Sequence, residues 1–268
     1  MIQIRTPQEI DLMARGGAII AGLVQELEDR IEPGMTTQAI DEFSERYIEA
    51  HEGATPAFRG LYGFPGSVCI SVNEEIVHGI PSAERVLNEG DIVSVDVGVK
   101  LDGWCSDSAW TFAVGEISGE VRALLEVTRD ALRNAVAAAV LGNHVGDIGA
   151  AVMETVQGTE FGIVRDLVGH GIGREVHEDP QVPNVGRAGF GPLLREGMVL
   201  AIEPMLSSGS THIRTLDDAW TVVTADRALS AHYEHSVAIT AEGPRILTGG
   251  DDEPAESVQA RTPSSRTA

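Results

Sequence analysis

The chain is short of basic side chains. Nineteen lysines and arginines stand against 41 acids, for a formal charge of −22 over 268 residues. Phosphate backbones bind through clustered Lys and Arg, so direct nucleic-acid binding is not expected. The acid surplus reads as a well-solvated surface, with scope for acidic pockets that hold cations. Only two cysteines occur, Cys69 and Cys105. Two do not make a disulfide framework, and reduced thiols in a cytoplasmic protein are the expectation. The N-terminal MIQIRTPQEI has no basic start followed by an apolar run, so no signal peptide is read there. The apolar stretch GGAIIAGLV is far short of the roughly 20 residues that a membrane span needs. Aromatic residues make up only 4%, whereas glycines number 30, a balance that suggests tight turns and a core of small residues.

What is present is organised in two similar halves. Thr6-Pro7-Gln8-Glu9 has the pattern of a helix start: a capping hydroxyl, proline at the first helical position and a glutamate that reaches back. The apolar period continues toward Leu27, and Glu32-Pro33-Gly34 ends it. Thr36 or Thr37 can cap a second helix, with Ile40, Phe43 and Tyr47 as its apolar stripe. Residues 67–79 suggest a hairpin of two short strands, and residues 91–112 a second hairpin. A long helix over 121–141, a break at Gly142-Asn143 and a shorter helix over 147–156 then repeat the order of the first half. Strands are expected over 198–202, 220–224 and 236–240. With 43% apolar residues there is ample core material. Residues 1–248 are read as one domain, and 249–268, nearly without large apolar side chains, as a disordered tail.

The segment DIVSVDVGVKLDGWCSDSAWTF, residues 91–112, carries the sharpest local information. Valines at 93, 95, 97 and 99 alternate with Ser94, Asp96 and Gly98, which is the period of a strand. Asp102-Gly103 is a strong two-residue hairpin turn. If Leu101 pairs with Trp104, Gly98 faces Asp107 and Asp96 faces Ala109. Asp96 and Asp107 then share a face as diagonal neighbours, about 7–8 Å apart at the backbone. Gly98 opposite Asp107 leaves room between the acids. Two carboxylates on such a face need a metal ion, an arginine or a proton to compensate them.

Further candidates lie downstream. Glu203 ends the apolar run MVLAIE before Pro204, and Glu234 precedes another strand in AHYEHSVAIT. His170 sits between glycines in GHGIG, where backbone and ligands can approach closely. His177 lies seven residues on, the wrong spacing for two ligands on one helix face. Four carboxylates and one imidazole, with no thiolate at ligand spacing, suit Mn, Fe, Co or Zn ions better than a structural zinc site. His51, His144, His212, His232 and His235 carry no pattern beyond that of ordinary surface or core histidines.

In this order, the motifs SVNEEIVHGIP, SVDVGVKLDGWCSDSAWTF, GHGIGREVHEDPQVPN, GMVLAIEPM and AHYEHSVAIT resemble those of the type I methionine aminopeptidases of the pita-bread fold, from about Gln3 to Leu247. The resemblance implies an α+β architecture, two pseudo-symmetric helix–strand halves around a central antiparallel sheet. It implies two divalent ions, drawn from Co, Mn, Fe, Zn or Ni, held by Asp96, Asp107, His170, Glu203 and Glu234. His78 and His177 would contact the substrate, with His177 donating to the scissile carbonyl and Glu203 moving a proton. Phe58, Leu61, Phe64, Cys69 and Trp220 would line the methionine pocket. Phe58, Leu61, Phe64 and Val176 depart from the usual family residues there but stay apolar. The implied substrate is the N-terminal methionine of nascent polypeptides, met at the ribosome, with a small second residue, and the implied enzyme is a cytoplasmic monomer. The short spacings from His170 to Glu203 and from Glu203 to Glu234 exclude the helical insertion of type II relatives. Three rival readings remain at this point: an Xaa-Pro dipeptidase or aminopeptidase P-like hydrolase on the same metals, a non-catalytic pita-bread protein that binds ribosomes or RNA, and a two-metal phosphohydrolase, for which Arg174 would be the phosphate ligand.

Overall fold

A computed structural model describes residues 1–249. The tail expected beyond Gly249 lies outside the described residues. The first half opens with helix α1 (Pro7–Arg30), whose Thr6 cap and Glu9 form the expected capping box. Helix α2 (Thr37–Glu49) is capped by Thr36, which accepts from the N–H of Ala39. Its buried face differs from the expected stripe. Ile40 and Ile48 are buried together with Thr37, Asp41 and Ser44, while Phe43 and Tyr47 are only half-buried. An acid therefore points inward from this helix, a placement that the apolar period does not reveal.

Four strands then form one antiparallel sheet. They are β1 (Ala54–Pro56), β2 (Cys69–Val72) and the long hairpin β4 (Ile92–Leu101) and β5 (Trp104–Ala113). Strand β3 (Glu75–Val77) follows β2 in sequence but does not pair with it. β2 pairs with β4, whereas β3 pairs with β12 (Val222–Thr224) of the second half. The hairpin expected over 67–79 is thus a divergence of two strands into different sheets. Asn73, in a left-handed conformation (φ 59°), makes the bend, and its side chain bonds Asp91 and the N–H of Ile92. The exits of both strands are held by partners far along the chain.

The second half repeats the order. Helix α3 (Gly119–Ala138) and helix α4 (Val145–Val156) match the earlier pair closely in length, 20 and 12 residues against 24 and 13. A five-stranded antiparallel sheet follows, in the order β15 (Gly243–Ile246), β14 (His235–Thr240), β9 (Val199–Ile202), β7 (Val168–Gly171), β8 (Glu178–Pro183). Two small sheets flank it. One joins β6 (Gly162–Ile163), β10 (Met205–Ser207) and β13 (Ser230–His232); the other joins β11 (Ile213–Thr215), β12 and β3. Every recorded strand pairing is antiparallel.

The halves are stitched along β5 and β14. The Ser236 hydroxyl accepts from the N–H of Asp107 at 3.0 Å and donates to the Asp107 carbonyl at 2.8 Å. The N–H of Glu234 donates to the Ala109 carbonyl at 2.9 Å, and the Ser108 hydroxyl donates to the Glu234 carbonyl at 2.5 Å. Apolar cores lie behind each half: Ile20, Leu23, Ile40 and Val95 on one side, Leu124, Leu132, Ile148 and Leu200 on the other. Burial of these faces drives the two sheets against their helices, and the seam between them holds the site. Among the described residues no helix is long and apolar enough to cross a membrane.

Candidate active site

The hairpin has the register that its turn predicts. Leu101 pairs with Trp104, Gly98 with Asp107 and Asp96 with Ala109. Asp102 and Gly103 take positive φ values of 51° and 78°, as a primed two-residue turn requires. Asp96 and Asp107 therefore share a face and open into one cavity. The role expected of Gly98 is corrected. A Cβ there would lie 2.6 Å from the Phe58 ring, so the missing side chain admits Phe58 rather than an ion.

The remaining candidates arrive from the second half. His170 lies on β7, and its Nδ1–H donates to the Gly171 carbonyl at 3.0 Å. That bond fixes the tautomer and leaves the Nε2 lone pair free to bind a cation. Nε2 is 3.5 Å from Glu203 Oε1 and 4.0 Å from Asp107 Oδ2. The flanking glycines act as expected by closeness: Cβ atoms at Gly169 and Gly171 would meet the carbonyls of Ala201 and Asp179. Glu203 follows the end of β9, and Glu234 sits between β13 and β14. Ligand atoms of Asp107, His170 and Glu234 all lie within 4.8 Å of one another.

The charge balance of this cluster is unfavourable without a cation. Burial pushes the Asp96 carboxyl up to about 7. Burial, then the charges of Glu234 and Asp96, raises Asp107 well above the carboxylate range. Glu203 is raised by burial and by Asp96 and Asp107, and Glu234 by burial and by Glu203 and Asp96. Burial, then His177, holds the His170 imidazole down to about 4. Asp107 and Glu203 face the rings of His170 and His232, which burial keeps neutral and which therefore supply no balancing charge. Arg174 is turned elsewhere, donating to the Gly103 carbonyl and stacking 3.8 Å from the Trp104 ring, so it supplies no phosphate site beside the acids. Asp96 Oδ1, Asp107 Oδ1 and Glu234 Oε1 are buried without a hydrogen-bond partner. Convergent, unpaired acid oxygens beside a neutral imidazole fit an oxygen-rich divalent cation site.

These groups line a cavity of about 380 Å³, within the usual size of a small-ligand site. Every site residue predicted from sequence faces it: Asp96, Asp107, His170, Glu203 and Glu234, His78 and His177, and the apolar Phe58, Leu61, Phe64, Cys69 and Trp220. Cys69 lies opposite Asp96 across the β2–β4 pair. Phe64 packs edge-on to Trp220 at 5.2 Å, and His78 meets Trp220 edge-on at 6.4 Å. The His177 ring is 4.5 Å from that of His170. Val176 is buried in the apolar cluster behind this wall. A larger cavity, about 1020 Å³, lies between the N-terminal segment, α3 and β15 and includes none of these residues.

Three contributors escape a reading of the sequence. Tyr62 also lines the cavity; it is 76% exposed, has φ 51°, and stacks on His177 at 5.9 Å. Its flanking glycines, Gly60 and Gly63, were the only available sign of the turn that presents it. His232, grouped above with ordinary histidines, is 1% exposed and sits 3.7 Å from Glu203. Asp41, on the inward face of α2, accepts from the N–H groups of Ser67 at 2.7 Å and Val68 at 3.0 Å, just before Cys69. It pins the segment that carries the apolar wall.

Comparison with known proteins agrees with this geometry. The model of metallopeptidase family M24 matches residues 11–241. The chain belongs to this family. It is 51% identical to a methionine aminopeptidase of Clostridium perfringens over 248 residues, 92% of this chain and 99% of that one. The crystal structure of a methionine aminopeptidase from Thermotoga maritima superposes with a TM-score of 0.91 at 44% identity, covering 93% of this chain and 100% of that one. A prolidase from Pyrococcus furiosus shares the fold with a TM-score of 0.75, but at 24% identity and with 66% of its length covered. This M24 chain therefore sides with the methionine aminopeptidases, and its metallopeptidase family implies chemistry that depends on divalent metal.

Proposed function

We propose that this M24 enzyme removes the N-terminal methionine from proteins and peptides with a small second residue, using two divalent ions held by Asp96, Asp107, His170, Glu203 and Glu234. The observation that carries the reading is the convergence of those five side chains, with buried unpaired oxygens, at one end of an apolar cavity. When bound, the ions lower the pKa of a shared water and polarise the scissile carbonyl. Asp96, Asp107, His170, Glu203 and Glu234 would hold the ions, with the Asp107, His170 and Glu234 ligand atoms, all within 4.8 Å of one another, at the centre of the set.

The chain's own groups do the rest. Phe58, Leu61, Phe64, Cys69 and Trp220 receive the thioether side chain, an unbranched shape that an irregular apolar pocket accepts well. The negative charge of Asp96 attracts the substrate's α-ammonium and so restricts cleavage to the first residue. His177 donates an N–H to the carbonyl oxygen as charge builds on it. Burial lowers the His177 imidazole and, with His177 itself, the His78 imidazole. His78 holds the peptide backbone beside Trp220. Glu203 accepts a proton at its carboxylate and returns it to the leaving amine. Residues 1–248 act as a single catalytic domain. The two buried free cysteines fit a reducing, cytoplasmic setting, in which the enzyme acts as a monomer on nascent chains at the ribosome.

The test is peptide hydrolysis after chelation and re-addition of single metals. A Met-Ala-Ser peptide is cleaved after its first residue, Xaa-Pro peptides are not, and Asp107→Ala and Glu234→Ala lose both activity and metal. Retained metal stoichiometry and activity in Asp107→Ala would falsify the assignment.

A further inference from the structure

One buried ring beside the acid cluster has no hydrogen bond to explain its place. His232 ends β13, opposite Met205 of β10. Its backbone is fully used. The N–H donates to Thr111 Oγ1 at 2.9 Å, and the carbonyl accepts from the same hydroxyl at 2.8 Å. Thr111 thereby locks the residue against β5. Neither ring nitrogen has a hydrogen-bond partner among the described residues, although buried polar groups in folded proteins are nearly always paired. The ring is not among the groups that line the cavity, so it does not touch substrate.

The nearest acid explains the ring. His232 Nε2 lies 3.7 Å from Glu203 Oε2, while the other oxygen, Oε1, lies 3.5 Å from His170 Nε2. Glu203 thus lies between two imidazoles, one near each carboxylate oxygen: the His170 Nε2 lone pair beside Oε1 and the unpartnered His232 Nε2 beside Oε2. Its own backbone carbonyl accepts from Asn184 Nδ2 at 3.0 Å, which fixes where the side chain starts. A neutral imidazole has one donor and one acceptor nitrogen, and a carboxylate can only be met by the donor.

We propose that His232 is a positioning residue for Glu203: its Nε2–H faces Oε2 across 3.7 Å, beyond hydrogen-bond distance, and closes on it as Oε1 turns toward the ion site beside His170. It decides which Glu203 oxygen binds metal and which is left to carry the proton. The inference rests on the reading of Glu203 as a metal ligand. Residues that orient metal ligands in this way commonly shift metal affinity about 10–100-fold.

The experiment titrates Mn²⁺ calorimetrically into chelator-stripped enzyme and measures kcat and KM on Met-Ala-Ser at saturating Mn²⁺. His232→Ala lowers Mn²⁺ affinity about tenfold or more and lowers kcat, while KM stays within about twofold. His232→Gln, which keeps an N–H donor, recovers most of both. His232→Leu, which fills the space without a donor, behaves like His232→Ala and replaces it if that variant does not fold. In a Glu203→Ala background the loss of His232 has no further effect on affinity, because the two act as one unit. Unchanged affinity in His232→Leu, with affinity lost in Glu203→Ala, overturns the inference and leaves the metal assignment standing. Unchanged affinity in Glu203→Ala overturns both.

Discussion

Asp41 gives the most direct measure of how scaffold and pocket are joined. The perturbation is Asp41→Ala. Its carboxylate accepts both N–H groups of Ser67 and Val68, residues that are completely buried. Water does not reach these donors, so truncation leaves two of them unpaired, at about 1–3 kcal/mol each. Burial raises the Asp41 carboxyl, with the two N–H groups opposing that rise. Part of the loss is therefore offset by removing a costly charge, and a net destabilisation of about 2–4 kcal/mol is expected. For a domain of this size that lowers Tm by about 5–15 °C. The freed segment carries Phe64 on one side and Cys69 on the other, so KM for a methionyl peptide rises several-fold. The change in kcat is smaller, since the acids stand on other strands. Asp41→Asn keeps an oxygen for the same donors and loses the charge, and it costs less than about 1 kcal/mol. Thermal melts and steady-state kinetics on the two variants decide the matter. If Asp41→Ala melts with the wild type, or Asp41→Asn is the worse of the two, the hydrogen-bond argument is wrong.

The acid cluster predicts a pH dependence of known sign. Asp96, Asp107, Glu203 and Glu234 are all raised in the folded chain, so their contribution to stability is present below the unfolded carboxylate range and lost as pH rises through the folded values. Below about pH 6.5 the lowered His78, His170, His177 and His232 act in the opposite sense, so chelated protein should melt at lower temperature as pH rises from about 7 to 9, and the gain in Tm on adding Mn²⁺ should grow over the same interval; a flat or rising Tm in the chelated protein contradicts this. Gly98→Ala places a methyl group 2.6 Å from the Phe58 ring and drives that ring toward the cavity. Overpacking of this kind costs about 1–3 kcal/mol, and it should appear as a raised KM for methionyl peptides with Mn²⁺ affinity unchanged. Loss of metal binding instead would return Gly98 to the role that its place opposite Asp107 first suggested.

The sequence alone determined the features whose chemistry is local. The capping box of α1 lies within four consecutive residues, and the hairpin register follows from a two-residue turn and a period of two, which together fix the shared face of Asp96 and Asp107. The motif order was specific enough to bring four acids and three histidines to one family, and the folded chain does gather their side chains in one cavity. Tertiary structure alone decided what depends on segments far apart in the chain. Strand β3 leaves β2 for β12, because its backbone partners lie in the other half. Asp41 turns inward to N–H groups 26 and 27 residues away, and the ring of His232 meets Glu203 only when β13 pairs with β10, the strand that follows Glu203. No periodicity records such partners, since a buried polar side chain is placed by whatever unpaired group faces it, and that group is known only once the chain has folded.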